Sequence, residues 1–343
     1  MSKIFTSIWL IFSVFSVVSC AVSPKRDISD HFDGTRFFHG EQDYSFADML
    51  KWMLTMNPAK WPKWIEDEKW PPPPEQAGKG ELRITHINHA TFLIQMDGIN
   101  ILTDPIWSER SSMVSWAGPK RVRAPGVKMA DLPRIDIILI SHDHYDHLDL
   151  VTLKQLVKNH SPEILVGLGI KELLVSQGFT KVTEMDWWQR YESSPNDLKV
   201  IFVPSRHSSG RGLFDKNKTL WGGFVIEAPT GNVYFAGDTA YGNFLSDIQQ
   251  RFGQFRLALL PIGAYEPRWF MKMQHMSPED AVQAHKLLNI RQSIGMHFGT
   301  FGGHNDEEVD AHEKDLKVAL KKHDVSEAEF FVLGFGEGIE VKK

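Results

Sequence analysis

From Glu81 onward the chain alternates short apolar runs with polar turns. Runs at 82–84, 91–95 and 101–103 are β-prone and closely spaced, which predicts strands joined by short turns. The run 135–140 is apolar except for Asp136 and is followed at once by Ser-His. Such a stretch reads as a strand buried on both faces. Further strands are expected at 163–166, 199–203, 220–226, 232–236, 257–261 and 292–296, and helices at 150–159, 171–177, 241–252, 278–288 and 307–321. Ser277, Pro278 and Asp280 supply one of these helices with an N-cap, an N1 proline and an acidic N3. Strands first, then strands mixed with helices, point to a single α/β sandwich over 46–343. No internal repeat at solenoid spacing and no long linker divides it.

The pattern upstream is different. Residues 4–18 are mostly apolar behind Lys3, as in the leader of an exported protein. The run is shorter than the ~20 residues of a transmembrane helix. It ends Val17-Val18-Ser19-Cys20, which resembles the lipobox of bacterial lipoproteins. That resemblance implies a signal peptide over 1–19 and a lipid on Cys20. It implies anchoring at the outer membrane or the periplasmic face; cleavage nearby, leaving a soluble periplasmic protein, is the alternative. The polar stretch 20–45 reads as a lipidated tether. Residues 46–80 are rich in Met and Trp, are broken by Pro58 and Pro62, and carry four prolines at 71–74, a stiff extended connector. They read either as a membrane-facing aromatic surface or as a wrap buried on the core. The wrap is preferred, because aromatic side chains are more often packed than displayed.

Composition narrows the function. With 343 residues, 42% hydrophobic and 24% charged, the chain is globular rather than disordered. A net charge of −5 and a pI near 6.3 lack the basic footprint of a nucleic-acid binder. A single cysteine excludes an internal disulfide framework and any multi-cysteine zinc site. Metal chemistry therefore falls to carboxylates and to the 15 histidines.

After the apolar strand comes Ser-His-Asp-His-Tyr-Asp-His-Leu-Asp, with His142, His144, Asp146 and His147 at i, i+2, i+4 and i+5. That spacing cannot line one helical face. It suits a loop leaving a strand, where several side chains can be aimed at one point, and imidazole with carboxylate suits zinc. His207, Asp238 and His297 each follow another apolar run, so all can meet at one edge of the sheets.

The same motif resembles the metallo-β-lactamase superfamily. Leu102-Thr103-Asp104-Pro105, Gly118-Pro119-Lys120-Arg121, Phe235-Ala236-Gly237-Asp238-Thr239 and above all the stretch from Ile262 to Lys272 (IGAYEPRWFMK) look like its N-acylphosphatidylethanolamine-hydrolysing phospholipase D group. The resemblance implies a four-layer αβ/βα sandwich with two zinc ions between its sheets. His142, His144 and His207 would hold one ion, Asp146, His147 and His297 the other, and Asp238 would bridge them. His275 would touch the substrate phosphate or amide. The resemblance also allows a homodimer. Asn88 stands where the family commonly has Gly, and Ser208 where it has an aromatic; these departures bear on the acyl pocket rather than on the ligands.

The residues suit a phosphodiesterase. Two zinc ions about 3.5–4 Å apart can share a hydroxide that attacks phosphorus in line. Asp146 can orient it. Arg211 and Arg268 are candidate phosphate contacts, with structural ion pairs as the alternative. His89 and Asp104 are candidates for orienting ligands, with purely structural roles as the alternative. The expected substrate is N-acylphosphatidylethanolamine or a related phospholipid at a membrane surface. The competing readings are a lactonase or amidase on the same scaffold and a non-enzymatic zinc-binding lipoprotein.

Overall fold

The computed structural model describes residues 26–41, 43–193, 198–302 and 306–342. The expected leader and Cys20 lie outside these residues. The chain forms α1 (Phe46–Thr55), β1 (Leu82–Asn88), β2 (Thr91–Met96), β3 (Ile99–Thr103), β4 (Ile137–Ile140), α2 (Leu150–His160), β5 (Glu163–Gly167), α3 (Ile170–Ser176) and β6 (Val182–Met185). It continues with β7 (Arg190–Ser193), β8 (Leu198–Val203), β9 (Gly223–Glu227), β10 (Asn232–Phe235), α4 (Phe244–Phe252), β11 (Phe255–Pro261), α5 (Arg268–Met271), α6 (Pro278–Leu287), β12 (Ile290–Met296), α7 (Ala311–His323), β13 (Phe330–Phe331) and β14 (Gly338–Glu340).

Two seven-stranded sheets result, ordered β14-β1-β2-β3-β4-β5-β6 and β7-β8-β9-β10-β11-β12-β13. Each runs antiparallel through its first four strands and parallel through its last four. The two halves thus repeat one plan.

The layering follows from the two-residue period of strands. Leu93, Leu102, Ile138, Ile140, Ile164 and Val166 pack with Leu153 and Leu156 of α2 and Ile170 and Leu174 of α3. Their neighbours Phe92, Ile94, Ile101, Ile137, Leu139 and Leu165 belong instead to the cluster shared with the second sheet, which α4, α6 and α7 also join. The order is helix, sheet, sheet, helix, as the α/β sandwich expectation required. Full burial of each such Leu or Ile stabilises by roughly 1.5–3 kcal/mol. The capping box at Ser277 and Asp280 forms with Pro278 in the first turn.

Two expectations are corrected at the N-terminal side. The described part of 20–45 is not a loose tether. Phe32 and Phe37 are buried, His31 meets Asp186 at 2.7 Å, and Arg26 lies 3.4 Å from Glu184. The wrap over 46–80 buries Pro73 and Ala77 but leaves its large apolar side chains exposed or half-buried. No residue of α1 is buried, and Phe46, Leu50, Met53, Leu54, Trp64 and Trp70 are all exposed. Composition signals an apolar helix but does not say which surface covers it.

Candidate metal centre

Each candidate ligand leaves the C-terminal end of a strand. The loop after β4 carries His142, His144, Asp146 and His147. His207 follows β8, Asp238 follows β10 and His297 follows β12. Backbone geometry lets them converge. Gly237 has φ +58°, and a Cβ there would stand 2.6 Å from Cβ of Ser141. His89 and His297 also adopt positive φ, and His297 N–H donates to the His89 carbonyl at 2.9 Å.

Asp238 sits at the centre. Its Oδ2 lies 3.1 Å from His297 Nε2, 3.2 Å from His147 Nε2, 3.6 Å from His207 Nε2 and 3.9 Å from His142 Nε2. Among the described residues four groups have ligand atoms mutually within 4.8 Å: Asp104–His142–His147, His207–Asp238–His275, and the two that matter most, His142–His144–His207 and His89–Asp146–His147–His297. These are the two expected sets, with His89 added to the second. The arrangement fits cations. Asp238 Oδ1 and the Nε2 atoms of His147 and His297 are buried without a hydrogen-bond partner, a costly condition unless a further group satisfies them. Burial opposes ionisation of Asp238 and Asp146. The neighbouring rings, His147 foremost, more than offset it and hold both carboxyls well below their usual range. Burial, reinforced by adjacent rings, keeps His142 and His207 well below 6.5, hence neutral donors.

The ring orientations have visible causes. Asp104, fully buried, accepts from His147 Nδ1 at 2.7 Å and from Ser141 Oγ at 2.6 Å; that hydroxyl lies 2.9 Å from His142 Nδ1. His207 Nδ1 meets the Gln274 carbonyl at 3.0 Å, and His89 Nε2 meets Asp146 Oδ2 at 3.2 Å. Asp104 and His89 thus each contact a candidate ligand, His147 and Asp146 respectively. Ser141 and the Gln274 carbonyl are additions that sequence reasoning missed. The first adjoins the motif and had a hydroxyl to suggest it; a backbone carbonyl carries no signal.

Arg211 and Arg268 behave differently from their expected substrate roles. Arg211 Nη1 donates to the carbonyls of Asp143 and Leu148 (2.7 and 2.9 Å), and its guanidinium lies over the Tyr145 ring. It staples the ligand loop. Arg268 bonds the His275 carbonyl (3.1 Å) and Asp280 (2.6 Å), fixing the start of α6. Neither lines the cavity. His275 does: its Nδ1 is 3.9 Å from Asp238 Oδ2, buried and without a partner. Burial pulls its pKa down to about 4, so the ring is neutral near pH 7.

The cavity measures about 510 Å³. Its floor is His144, Asp146, His207, Asp238, His275 and His297; Tyr44, Met49, Trp52, Phe270, Met271 and Phe301 supply much of the wall. Trp52 stacks on Phe270 at 5.0 Å.

A family model described as a beta-lactamase superfamily domain matches residues 99–298, a stretch containing all seven metal ligands expected from the sequence but not His89. Over 264 residues the chain is 39% identical to the N-acyl-phosphatidylethanolamine-hydrolyzing phospholipase D 1 of Caenorhabditis elegans, 74% of each chain being covered. The chain belongs to the metallo-β-lactamase superfamily, in its N-acylphosphatidylethanolamine phospholipase D-like group. It is also 31% identical over 228 residues to a metal-dependent hydrolase of Methanopyrus kandleri, covering 64% of this chain and 85% of that one. The solved structure of a possible metal-dependent hydrolase from Veillonella parvula superposes with a TM-score of 0.60 at 21% identity, covering 75% of this chain and 98% of the other. As a member of this superfamily the chain is a metallo-hydrolase, and its His and Asp clusters point to a metal-binding site.

Proposed function

We propose that this metallo-hydrolase is a zinc-dependent phosphodiesterase of phospholipase D type, acting on N-acylphosphatidylethanolamine or a related phospholipid at a membrane surface. One observation carries the reading: a polar, ligand-rich floor lies beneath apolar walls that continue into an exposed apolar rim. Such a cavity matches a molecule with a charged ester at one end and hydrocarbon at the other. Similarity to the C. elegans phospholipase supports the same substrate class.

All candidate ligands offer nitrogen or oxygen, a set that suits zinc. Two ions, held by the two clusters and shared by Asp238, would supply a water of lowered pKa and stabilise charge on phosphoryl oxygens. The protein's own groups do the rest. His89 fixes Asp146, Asp104 fixes His147, and His275 presents an unpaired ring nitrogen to the phosphate or the amide. In the net reaction the oxygen of water joins phosphorus and the P–O bond to the N-acylethanolamine breaks. The departing oxygen takes up a proton, leaving phosphatidic acid.

The rim supports a bilayer as the partner. Met49 and Trp52 of α1 face the cavity, while Phe46, Leu50, Met53 and Leu54 face water. A helix apolar on both sides is not a stable solvent-facing element. Trp116 lies between cavity-lining Ser111 and Pro119. Leu213 and Phe214 follow Arg211, which stacks on cavity-lining Tyr145. A lipid on Cys20 would add the second attachment that stable anchoring needs. Among the described residues no helix is long and apolar enough to cross a membrane.

The test is lipid mass spectrometry after incubating zinc-loaded protein with a phospholipid panel. Phosphatidic acid appearing with N-acylethanolamine is the expected result. Its absence from every member of the panel, with lactones turned over instead, rejects the reading.

A further inference from the structure

The segment 26–45 reaches the metal centre through two carboxylates. Glu41 Oε2 lies 3.0 Å from Arg206 Nη1, and Glu41 Oε1 accepts the Asn243 N–H at 3.1 Å. Asp43 Oδ1 accepts from Gln274 Nε2 at 2.8 Å, and its Oδ2 lies 3.3 Å from Lys216 Nζ. Arg206 immediately precedes the ligand His207, and Gln274 immediately precedes His275. Gln274 is buried, and it ties three parts of the site together. Its amide nitrogen goes to Asp43, its side-chain oxygen accepts from Ser208 Oγ at 2.9 Å, and its backbone oxygen meets His207 Nδ1 at 3.0 Å.

We propose that Asp43 is a positioning residue for the metal centre: by holding Gln274 it fixes the tautomer and tilt of His207, and with them the cluster His142–His144–His207. The proposal rests on the reading of that cluster as a metal site. The physical argument is that an imidazole rotates easily until its second nitrogen is engaged, and the engaging group must itself be held. Among the described residues of β8 and the turn after it, none engages His207 Nδ1; the Gln274 carbonyl does. That carbonyl belongs to a short connection between α5 and α6. One side of the connection is pinned by Arg268 on the His275 carbonyl, and the other by Asp43 on the Gln274 side chain. The Asp43–Lys216 pair is half exposed and contributes little by itself. Segment 26–45 is therefore part of the active-site frame, although it lies far from every candidate ligand in sequence.

The test measures metal release to a chromophoric chelator from the zinc-loaded chain, together with kcat and KM on a short-chain phosphodiester. Asp43→Ala is expected to weaken retention of one of two zinc equivalents by at least ~10-fold, the lower end of such effects, with kcat lowered more than KM. Asp43→Asn keeps an acceptor for Gln274 and is expected to retain zinc within twofold of wild type. Lys216→Ala, which removes the ion pair and the ammonium over the Tyr44 ring but leaves the Asp43–Gln274 bond, is expected to do the same. Circular dichroism confirms that each variant is folded. Unchanged retention in folded Asp43→Ala overturns the proposal, as does equal loss in Asp43→Asn and Asp43→Ala. Failure of the wild-type chain to hold any zinc overturns the metal reading beneath it, and is distinguishable because every variant then behaves alike.

Discussion

At the floor of the cavity Asp104, Ser141 and Gln274 hold the rings of His147, His142 and His207 from behind, so each ligand is fixed before anything binds. At the rim, Leu54, Trp116 and Phe214 stand 78%, 79% and 81% exposed, supported by little. The floor concentrates polar atoms where water is scarce. The rim places apolar atoms where water is plentiful. Both arrangements cost stability, since buried polar groups and exposed apolar patches are unfavourable without a partner. On the proposed reading, the difference teaches that the two regions await different partners: cations below and hydrocarbon above.

Removing the shared carboxylate should break the floor alone. Asp238→Ala is expected to lower hydrolysis by at least ~10³-fold, since groups acting as one unit fail together, and to lose bound zinc by elemental analysis. Its affinity for lipid vesicles should be unchanged. The rim should break in the opposite sense. In a Cys20→Ser background, which removes the proposed anchor, Leu54→Asp with Phe214→Asp is expected to lower partitioning onto phospholipid vesicles by roughly 10- to 100-fold. That corresponds to losing ~1.5–3 kcal/mol of burial for each side chain, discounted for shallow insertion. Turnover of a water-soluble phosphodiester should stay within about twofold. Parallel losses of both activities in either variant would show that floor and rim are one unit.

The smallest effect sharpens the comparison from beneath the floor. His312 stacks on Phe298, next to the ligand His297, with ring centroids 4.0 Å apart, and His86 lies on another side of Phe298 at 5.4 Å. Burial foremost pulls His86 down to about 4 and His312 to about 3, from 6.5. Between pH 6.5 and these values the unfolded chain binds more protons than the folded one. Stability is therefore fully present above pH 6.5 and falls as pH drops toward 4, by about 1.4 kcal/mol per pH unit for each ring that resists protonation. Urea melts at pH 7, 6 and 5 should show a shallower fall in His312→Phe than in wild type. Equal slopes would assign the acid sensitivity to the floor instead.

Much of this was legible in the residues because the local signals agree with the fold. The apolar runs at β4, β8, β10 and β12 each lead within a few residues into a candidate ligand, so strand and candidate site announce each other. What stayed hidden has physical reasons. β6 and β7 (VTEM and RYES) have weak alternation and are half buried or near an edge. β13 is two residues long. The guanidinium groups of Arg211 and Arg268 recognise backbone carbonyl oxygens as readily as phosphate oxygens, and residue type does not distinguish the two. In 26–45 the packing rests on isolated Phe32 and Phe37 and on single carboxylates, which form no period. A polar stretch with two anchors reads the same as one with none until a surface is found for the anchors.

The pairing of β1 has a consequence for how the chain is made. On one side β1 meets β2, synthesised immediately after it; on the other it meets β14, synthesised after every other strand. At ~5–20 residues per second the gap is on the order of ten seconds or more. Throughout that interval the first sheet can assemble only with a bare edge, a template for mispairing with other chains. The topology thus contains a clock: half of the sandwich can collapse early, but its edge cannot be sealed until β14 has been made.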